Sequence, residues 1–205
     1  ACTAGGQGND FSARKFVPKT YRKAVKVMAR DIELAVAGAD LAFRDAGLTT
    51  KGIDPDAVDI DGGRLACNIG AGLICADLNE LGQAMQTALD ARGRFDYHRW
   101  GAEGITNLTP LWLLKYLPNM LVCHVTIIHD LRGPSNTITC GEASGLLSIG
   151  EAARQVARGS ADAAVAGGAE SRLNPRGVLR QALLGRLVAT DGREPAAACR
   201  PFDAE

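Results

Sequence analysis

The alternation of apolar and polar residues predicts a series of helices and strands. Apolar residues recur at three- and four-residue steps from Val25 to Ala46, which predicts a long amphipathic helix, and Gly47 follows where a C-cap is expected. The run "RLACNIGAGLI" predicts a buried strand that enters a glycine-rich loop. A second helix is expected over residues 77–92, and the polar stretch "GRFDYHRWGAEG" is expected to form a loop.

The second half of the chain continues with alternating helices and strands. Pro110 lies near the start of the apolar segment "LWLLKYLPNMLVCHVTIIHD", a helix that Pro118 is expected to break or kink. The strand "SNTITC", the turn "GEAS", a helix over residues 145–158 and the strand "DAAVAGGAES" follow. Strands that alternate with helices predict an α/β fold with a mainly parallel sheet, covered on both faces.

Composition narrows the class of protein. The 23 basic and 23 acidic residues balance, so we do not expect a global field that gathers nucleic acid or coats a membrane. No apolar run approaches the roughly 20 residues that a membrane span needs, and the first residues lack the pattern of a signal peptide. The six cysteines are scattered without a CxxC pair, which favours reduced thiols in a cytoplasmic protein over disulfides or a zinc site. We therefore expect no metal and no cofactor.

A cluster of basic residues precedes the core of the first predicted helix. Its members, expected to share one face at the helix start, are Lys19, Arg22, Lys23, Lys26 and Arg30. Cations are locally unfavourable at a helix N-terminus, so the cluster indicates either a site for an anion or acidic partner, or a solvated face. Nucleic acid is disfavoured as the partner, because Tyr21 is the only aromatic residue among these cations and bases would need aromatic side chains to stack on.

Several segments, in their order and spacing, resemble the N-terminal half of a β-ketoacyl synthase, the condensing enzyme of fatty-acid and polyketide assembly. They are "KVMARDIELAVAGADLAFRDAGL", "NIGAGL", "LTPLWLLKYLPNMLVCHVTIIHDLRGPSNTIT", "SIGEAARQVARGSADAAVAGGAES" and "CRPFD". The resemblance implies a thiolase-like fold, in which two similar α/β halves form a layered αβαβα core. It also implies that residues 1–205 form most of the first half. The family's first strand and its C-terminal half, with two catalytic histidines, are expected to be missing.

The residue at the family's nucleophile position is Glu142. In the family, the strand after "GPS" ends in a cysteine at a helix N-terminus, where the helix dipole stabilises the thiolate. The resemblance places Glu142 there, with Cys140 two residues earlier on the strand as an expected buried structural cysteine. Glu142 also has a simpler interpretation, as a carboxylate that stabilises the helix dipole.

This departure implies a protein that does not condense acyl chains by the usual cysteine route. The family's chain-length-factor subunits, which bind a true synthase and shape the acyl cavity, carry glutamine at this position. A chain-length-factor-like partner is therefore the primary expectation. The alternatives are a malonyl-carrier decarboxylase that primes a synthase, as in loading-type ketosynthases with glutamine there, and a condensing acyltransferase that uses Cys140.

The resemblance also implies partners and binding residues. Lys23 and Lys26 match positions that dock the acidic acyl carrier protein, and Lys19 and Arg22 extend that patch. A later basic docking position is Asp191 here, with Arg193 two residues on. A homodimer, or a heterodimer with a ketosynthase, is expected.

Other residues are expected to support the site. Trp112, Leu117 and Met120 are expected to line the acyl cavity or the interface, with core packing as the alternative. Glu170 resembles a position that supports the floor of the active site. His124 and His129 are expected to be structural histidines whose hydrogen bonds are satisfied.

Overall fold

Three parallel strands form the sheet at the centre of residues 12–170: β1 (Leu65–Gly70), β2 (Ser135–Ile138) and β3 (Ala163–Gly168). Their order is β2-β1-β3, and Cys67 of the central strand lies opposite Ser135 and Val165. This computed structural model describes residue 2, residues 4–190, residue 192 and residues 194–198. Asp191, Arg193 and "CRPFD" lie outside the described residues. The parallel sheet confirms the predicted α/β class.

Helices cover both faces of this sheet. The covering helices are α1 (Arg30–Asp45), α4 (Met120–His129) and α5 (Ser144–Ala157). Between α1 and α4 in the chain, α2 (Leu78–Thr87) and the single turn α3 (Tyr97–Arg99) pack against the turns at residues 100–107. Leu65, Cys67 and Ile69 of β1 share one hydrophobic core with α1 and α4. The alternate residues Asn68 and Gly70 meet α5 on the other face. Because side chains alternate along a strand, β1 is buried on both sides, as its continuous apolar run predicted.

The ends of the first two helices differ from the predicted ones. Ala24–Val27 forms a 3₁₀ turn, Ala29 is extended, and α1 begins only at Arg30. The predicted end is confirmed, because Gly47 has a φ of +68° and the Leu48 N–H donates to the Phe43 carbonyl at 3.0 Å. The second helix spans 78–87 rather than 77–92, with Asp77 as its N-cap.

The polar stretch expected as a loop is in part helical, so that prediction was wrong. The Asp96 carboxylate accepts hydrogen bonds from the backbone N–H groups of His98 and Arg99, which starts α3. A π-helical turn, Trp100–Gly104, continues it. The predicted break at Pro118 is confirmed, since a 3₁₀ turn, Trp112–Lys115, is separated from α4.

The described parts of residues 1–11 and 171–205 form a second unit. Its helix α6 (Pro175–Leu183) starts as the sequence rules for helix ends require, because Pro175 occupies the first turn and the Asn174 side chain accepts from the Gly177 N–H at 2.8 Å. Across both units, no helix of the described residues is long and apolar enough to cross a bilayer.

Candidate functional site

The carboxyl ends of all three strands bring the predicted site segments to one edge of the sheet. β1 leads into Ala71 and Gly72, β2 leads into Cys140, and β3 leads into Glu170. Backbone bonds hold these ends together: the Ala71 N–H donates to the Ile138 carbonyl at 3.0 Å, and the Ala169 N–H donates to the Gly70 carbonyl at 3.3 Å. Ligands of open parallel sheets bind at this edge, so the site residues predicted from the sequence lie where a ligand would be expected.

The turn between β2 and α5 has a fixed geometry. Gly141–Ala143 forms a 3₁₀ turn, and Gly141 has a φ of +55°, which a residue with a Cβ rarely adopts. The buried Ser144 ties the turn together, because its Oγ accepts from the Cys140 N–H at 2.8 Å and donates to the Gly141 carbonyl at 2.7 Å. The turn therefore presents its side chains from a constrained backbone.

Cys140 lies elsewhere than predicted. The strand ends at Ile138, and Cys140 is the N-cap residue of the 3₁₀ turn, with φ −137° and ψ 45°. Its side chain is exposed rather than buried. The expectation of a buried cysteine on the strand was wrong because the backbone leaves the sheet after Ile138 and turns at Gly141.

Glu142 is the central residue of the 3₁₀ turn, and its side chain is exposed in this chain. The helix α5 begins two residues later, so Glu142 precedes the helix rather than lying in its first turn. A carboxylate at this distance still lies close to the positive end of the helix dipole. Its position at the tip of the strand–turn–helix unit is the one that the sequence predicted.

Glycines in β1 and β3 allow the start of α5 to pack closely against the sheet. A Cβ on Gly70 would lie 2.4 Å from the carbonyl carbon of Ser144, and one on Gly168 would lie 3.2 Å from the Gly145 Cα. The Ser148 hydroxyl, fully buried, lies 2.6 Å from the Gly167 carbonyl, which accepts from it. The helix therefore approaches the strands as closely as backbone atoms allow, and this contact sets the height of the turn above the sheet edge.

Glu170 lies beside the glycine-rich loop that follows β1. A Cβ on Gly72 would lie 2.6 Å from Glu170 Oε1, so the carboxylate lies directly against the backbone of this loop. The predicted supporting residue is thus at the same edge as the turn. Its role in an active-site floor stays a prediction.

The cations form an exposed segment, but not on a helix. Lys19–Tyr21 and Ala24–Val27 are separate 3₁₀ turns, so the prediction that the cluster opens the first helix was wrong. Arg30 alone lies in α1, where it pairs with Glu33 at 3.2 Å. The error arose because a spacing of three and four residues fits a 3₁₀ turn nearly as well as an α-helix. The argument from an unfavourable helix dipole therefore does not apply to these lysines.

Two further cations extend the cluster beyond what the sequence analysis included. Arg14 and Lys15 are exposed on the 3₁₀ turn Ala13–Lys15. With the four predicted docking residues they form the basic segment, defined as Arg14, Lys15, Lys19, Arg22, Lys23 and Lys26. Within the described part of the chain, none of these six makes a salt bridge. The signal was present in the sequence, because residues 11–30 contain no Asp or Glu.

The two buried histidines pack as structural residues. His124 Nδ1 lies 2.8 Å from the Tyr21 hydroxyl, and His129 Nδ1 lies 2.6 Å from Thr50 Oγ1. Burial lowers the pKa of both imidazoles, that of His129 to about 4, so both are neutral at pH 7. His98, by contrast, is exposed on α3. This packing agrees with the predicted structural role. The prediction that both imidazoles are satisfied was wrong, because among the described residues each Nε2 is buried without a hydrogen-bond partner.

The predicted cavity-lining residues lie in the segment that leads into α4. Trp112, Leu117 and Met120 are each half-buried, and Met120 packs against the hydrophobic core. The Trp112 ring lies 5.2 Å from that of Tyr116, whose hydroxyl donates to Glu80 Oε2 at 2.7 Å. Lys115 pairs with the same carboxylate. The segment is thus clamped to α2, and its acyl-cavity or interface role stays a prediction.

Comparison of the sequence with known families gives one match that covers almost the whole chain. The family model "Beta-ketoacyl synthase, N-terminal domain" matches residues 4–205. The 3-oxoacyl-[acyl-carrier-protein] synthase 2 of Vibrio harveyi is 28% identical over 198 residues, 97% of this chain and 42% of the relative. That of Rhizobium meliloti is 31% identical over 203 residues, 98% of this chain and 42% of the relative. The chain therefore spans less than half the length of the curated relatives that it matches.

Solved structures show the same fold. A β-ketoacyl synthase from Burkholderia phymatum gives a TM-score of 0.66 at 24% identity, over 96% of this chain and 42% of that one. The AntDE:AntF complex, a type II polyketide acyl-carrier protein with its ketosynthase, gives 0.63 at 16% identity, over 84% of this chain and 43% of that one. The ishigamide ketosynthase/chain length factor gives 0.54 at 20% identity, over 92% and 44%. These neighbours establish the thiolase-like fold that the sequence predicted.

Proposed function

The chain belongs to the β-ketoacyl synthase family, and from that membership we propose that the protein acts on acyl chains bound to a carrier protein. The curated relatives are 3-oxoacyl-[acyl-carrier-protein] synthases, and one structural neighbour is a ketosynthase in complex with an acyl-carrier protein. The pathway class is fatty-acid or polyketide assembly. Because the chain covers 42% of these two relatives, its activity, substrates and partners are part of the proposal.

The protein does not condense acyl chains by the usual cysteine route. The observation that carries this proposal is the position of Glu142 at the tip of the turn between β2 and α5. Family condensation requires that a cysteine thiol at that position take the acyl group from the carrier thioester. The Glu142 carboxylate has no sulfur, so it cannot hold the acyl chain as an enzyme thioester. The fold matches that of family structures, so the proposed change concerns the chemistry rather than the fold.

The proposed role is that of a chain-length-factor-like partner in a dimer with a cysteine-bearing ketosynthase. In such a dimer this subunit shapes the acyl cavity, with Trp112, Leu117 and Met120 as its contribution. We propose a cytoplasmic location, which is supported by six scattered cysteines without a CxxC pair.

The basic segment docks the acidic acyl carrier protein. Six exposed cations within 13 residues, without a salt bridge in the described part of the chain, leave their charge available to a partner. Such a surface raises association rates with an acidic protein and is weakened by salt.

A second candidate function is condensation through Cys140. Its exposed thiol and its place at the turn, rather than on the strand, favour this alternative more than the sequence did. Against it, Cys140 lies two residues before the family position, and its N–H is already bonded to Ser144.

Reconstitution of the intact protein tests the proposal. With malonyl- and acyl-carrier substrates, the protein alone should form no β-ketoacyl product, whereas its co-purified complex with a cysteine-bearing ketosynthase should. Product from the protein alone that is lost in Cys140→Ala would support the second candidate instead. Carbon dioxide release from malonyl-carrier that is lost in Glu142→Ala but retained in Cys140→Ala would identify a decarboxylase.

A further inference from the structure

The basic segment consists of short 3₁₀ turns whose backbone hydrogen bonds join only residues three positions apart. The Tyr21 N–H donates to the Pro18 carbonyl at 2.9 Å, the Arg22 N–H to that of Lys19 at 3.4 Å, and the Lys26 N–H to that of Lys23 at 3.3 Å. Such 3₁₀ turns have poor hydrogen-bond geometry and are marginal in isolation. The fixed presentation of the cations must therefore come from contacts with the rest of the protein.

Apolar anchors hold the two ends of this stretch. Val17 and Met28 are buried in the hydrophobic core that includes α1 and α4, at 7% and 6% exposure. Between them, the side chains of Tyr21, Ala24 and Val25 pack against that core only in part. The ends are therefore fixed by burial, and the middle, which carries four of the six cations, needs another contact.

That contact is the bond between Tyr21 and His124. The Tyr21 hydroxyl lies 2.8 Å from His124 Nδ1, and the two rings meet edge to face at 5.9 Å. His124 is 4% exposed on α4, which packs against the sheet. Among the described residues, no other side chain between positions 17 and 27 hydrogen-bonds to a different element. The bond ties the middle of the segment to a rigid helix.

We propose that Tyr21 is a positioning residue for docking of the carrier protein, which acts by holding the turns that display Lys19, Arg22 and Lys23. This inference rests on the proposed docking function of the same surface. A preordered surface loses less conformational freedom on binding, so its affinity is higher at equal charge. Loss of the Tyr21–His124 bond should weaken docking without changing the electrostatic attraction.

Binding of a labelled, purified bacterial holo-acyl carrier protein to the intact protein tests this inference. Tyr21→Phe removes the hydroxyl and keeps every cation, so we expect a roughly three- to tenfold weaker affinity, the size of one net hydrogen bond, with an unchanged dependence on salt. Lys23→Glu combined with Lys26→Glu should instead weaken both the affinity and its salt dependence.

A matched control is available in the second buried histidine. Thr50→Val removes the hydroxyl bonded to His129 Nδ1 at 2.6 Å, outside the basic segment. It should lower stability and leave carrier affinity unchanged, which separates a positioning effect from general destabilisation. His124→Leu should reproduce the loss seen in Tyr21→Phe, and the double variant should lose no more than either single variant.

The outcomes separate the two proposals. Unchanged affinity in the double charge reversal would overturn carrier docking at this surface. Weaker binding on charge reversal, with wild-type affinity in Tyr21→Phe, would overturn the positioning role alone. If Tyr21→Phe does not fold, His124→Gln is compared with His124→Leu, because the glutamine amide can still hydrogen-bond to the Tyr21 hydroxyl and leucine cannot. Equal affinities in these two variants would contradict the inference.

Discussion

Asn68 Nδ2 donates a 2.6 Å hydrogen bond to Gln155 Oε1, with both side chains buried between β1 and α5. Gln155 Nε2 in turn lies 3.2 Å from Glu151 Oε1, and Glu151 pairs with Arg154 and Arg158 at the surface. This connected network fixes α5 along the sheet, since only one register pairs both amides. The helix begins directly after the turn that carries Glu142, so the network also helps to set the position of that residue.

Asn68→Leu should destabilise the protein by about 1–3 kcal/mol, because it leaves the buried Gln155 amide without its strand partner. The free energy of unfolding from urea titration of the intact protein measures this loss. In the double variant with Gln155→Leu, part of the loss should be regained, since both polar partners are gone. Strictly additive losses would show that the two amides do not act as a pair. Asn107→Ala, at an exposed position, is the control and should change little.

Gly70→Ala should destabilise the protein by about 1–3 kcal/mol or more, since the added methyl would lie 2.4 Å from the Ser144 backbone. Gly82→Ala on α2 is the matched control. Nothing lies within 4 Å of its added Cβ, and alanine favours a helix, so stability should rise by up to about 1 kcal/mol. Thermal unfolding of the two variants makes the comparison. Equal effects would contradict the close seating of α5 on the sheet.

The sequence predicted the layered fold well because its signals are strong and redundant. The continuous apolar run of β1 predicted a strand that is buried on both faces. Gly47 correctly predicted the end of α1, and Pro118 the break before α4. The start of α1 could not be predicted, since Val25 and Met28 follow a spacing that 3₁₀ turns also satisfy. The helical turn α3 was not predicted, because it depends on an N-cap by Asp96 rather than on apolar periodicity.

The site was predicted in part. Glu142 lies at the tip of the turn, as its place in "GPSNTITCGEASG" predicted. The sequence pattern could not predict that Cys140 is exposed. The chain leaves the strand after Ile138 because Gly141 and Ser144 form the turn. The hydrogen bond between Tyr21 and His124 joins residues 103 positions apart, so no local sequence pattern predicts it.

The protein should lose stability as the pH falls below about 6.5. Burial lowers the folded-state pKa of His124, and that of His129 to about 4, whereas the unfolded value is 6.5. Between these values the unfolded chain binds more protons, so folding weakens as pH falls, by up to about 1.4 kcal/mol per pH unit for each histidine. Urea titrations at pH 7 and pH 5 measure this.

Substitution identifies which histidine is responsible. His129→Gln should reduce the slope of stability against pH relative to the wild-type protein, because it removes a group whose folded-state pKa is lowered to about 4. A wild-type slope in His129→Gln would contradict the neutral, buried state of that imidazole.

The thiols should differ sharply in reactivity. Cys140 is exposed, whereas Cys67 is fully buried in β1, and burial raises its pKa to about 12. A brief iodoacetamide treatment of the native protein should therefore alkylate Cys140 and spare Cys67, as read by peptide mass mapping. Cys140→Ser should lose that label, and unfolding should expose Cys67. Equal labelling of both thiols in the native state would rule out the burial described for β1.

Acyl transfer to the protein tests the central claim most directly. The intact protein, incubated with acyl-carrier substrate and digested, should carry no acyl group at Cys140 or Glu142, while Glu142→Cys should gain a thioester at position 142. An acyl thioester on Cys140 of the wild-type protein would contradict the account, since the turn would then hold a working nucleophile.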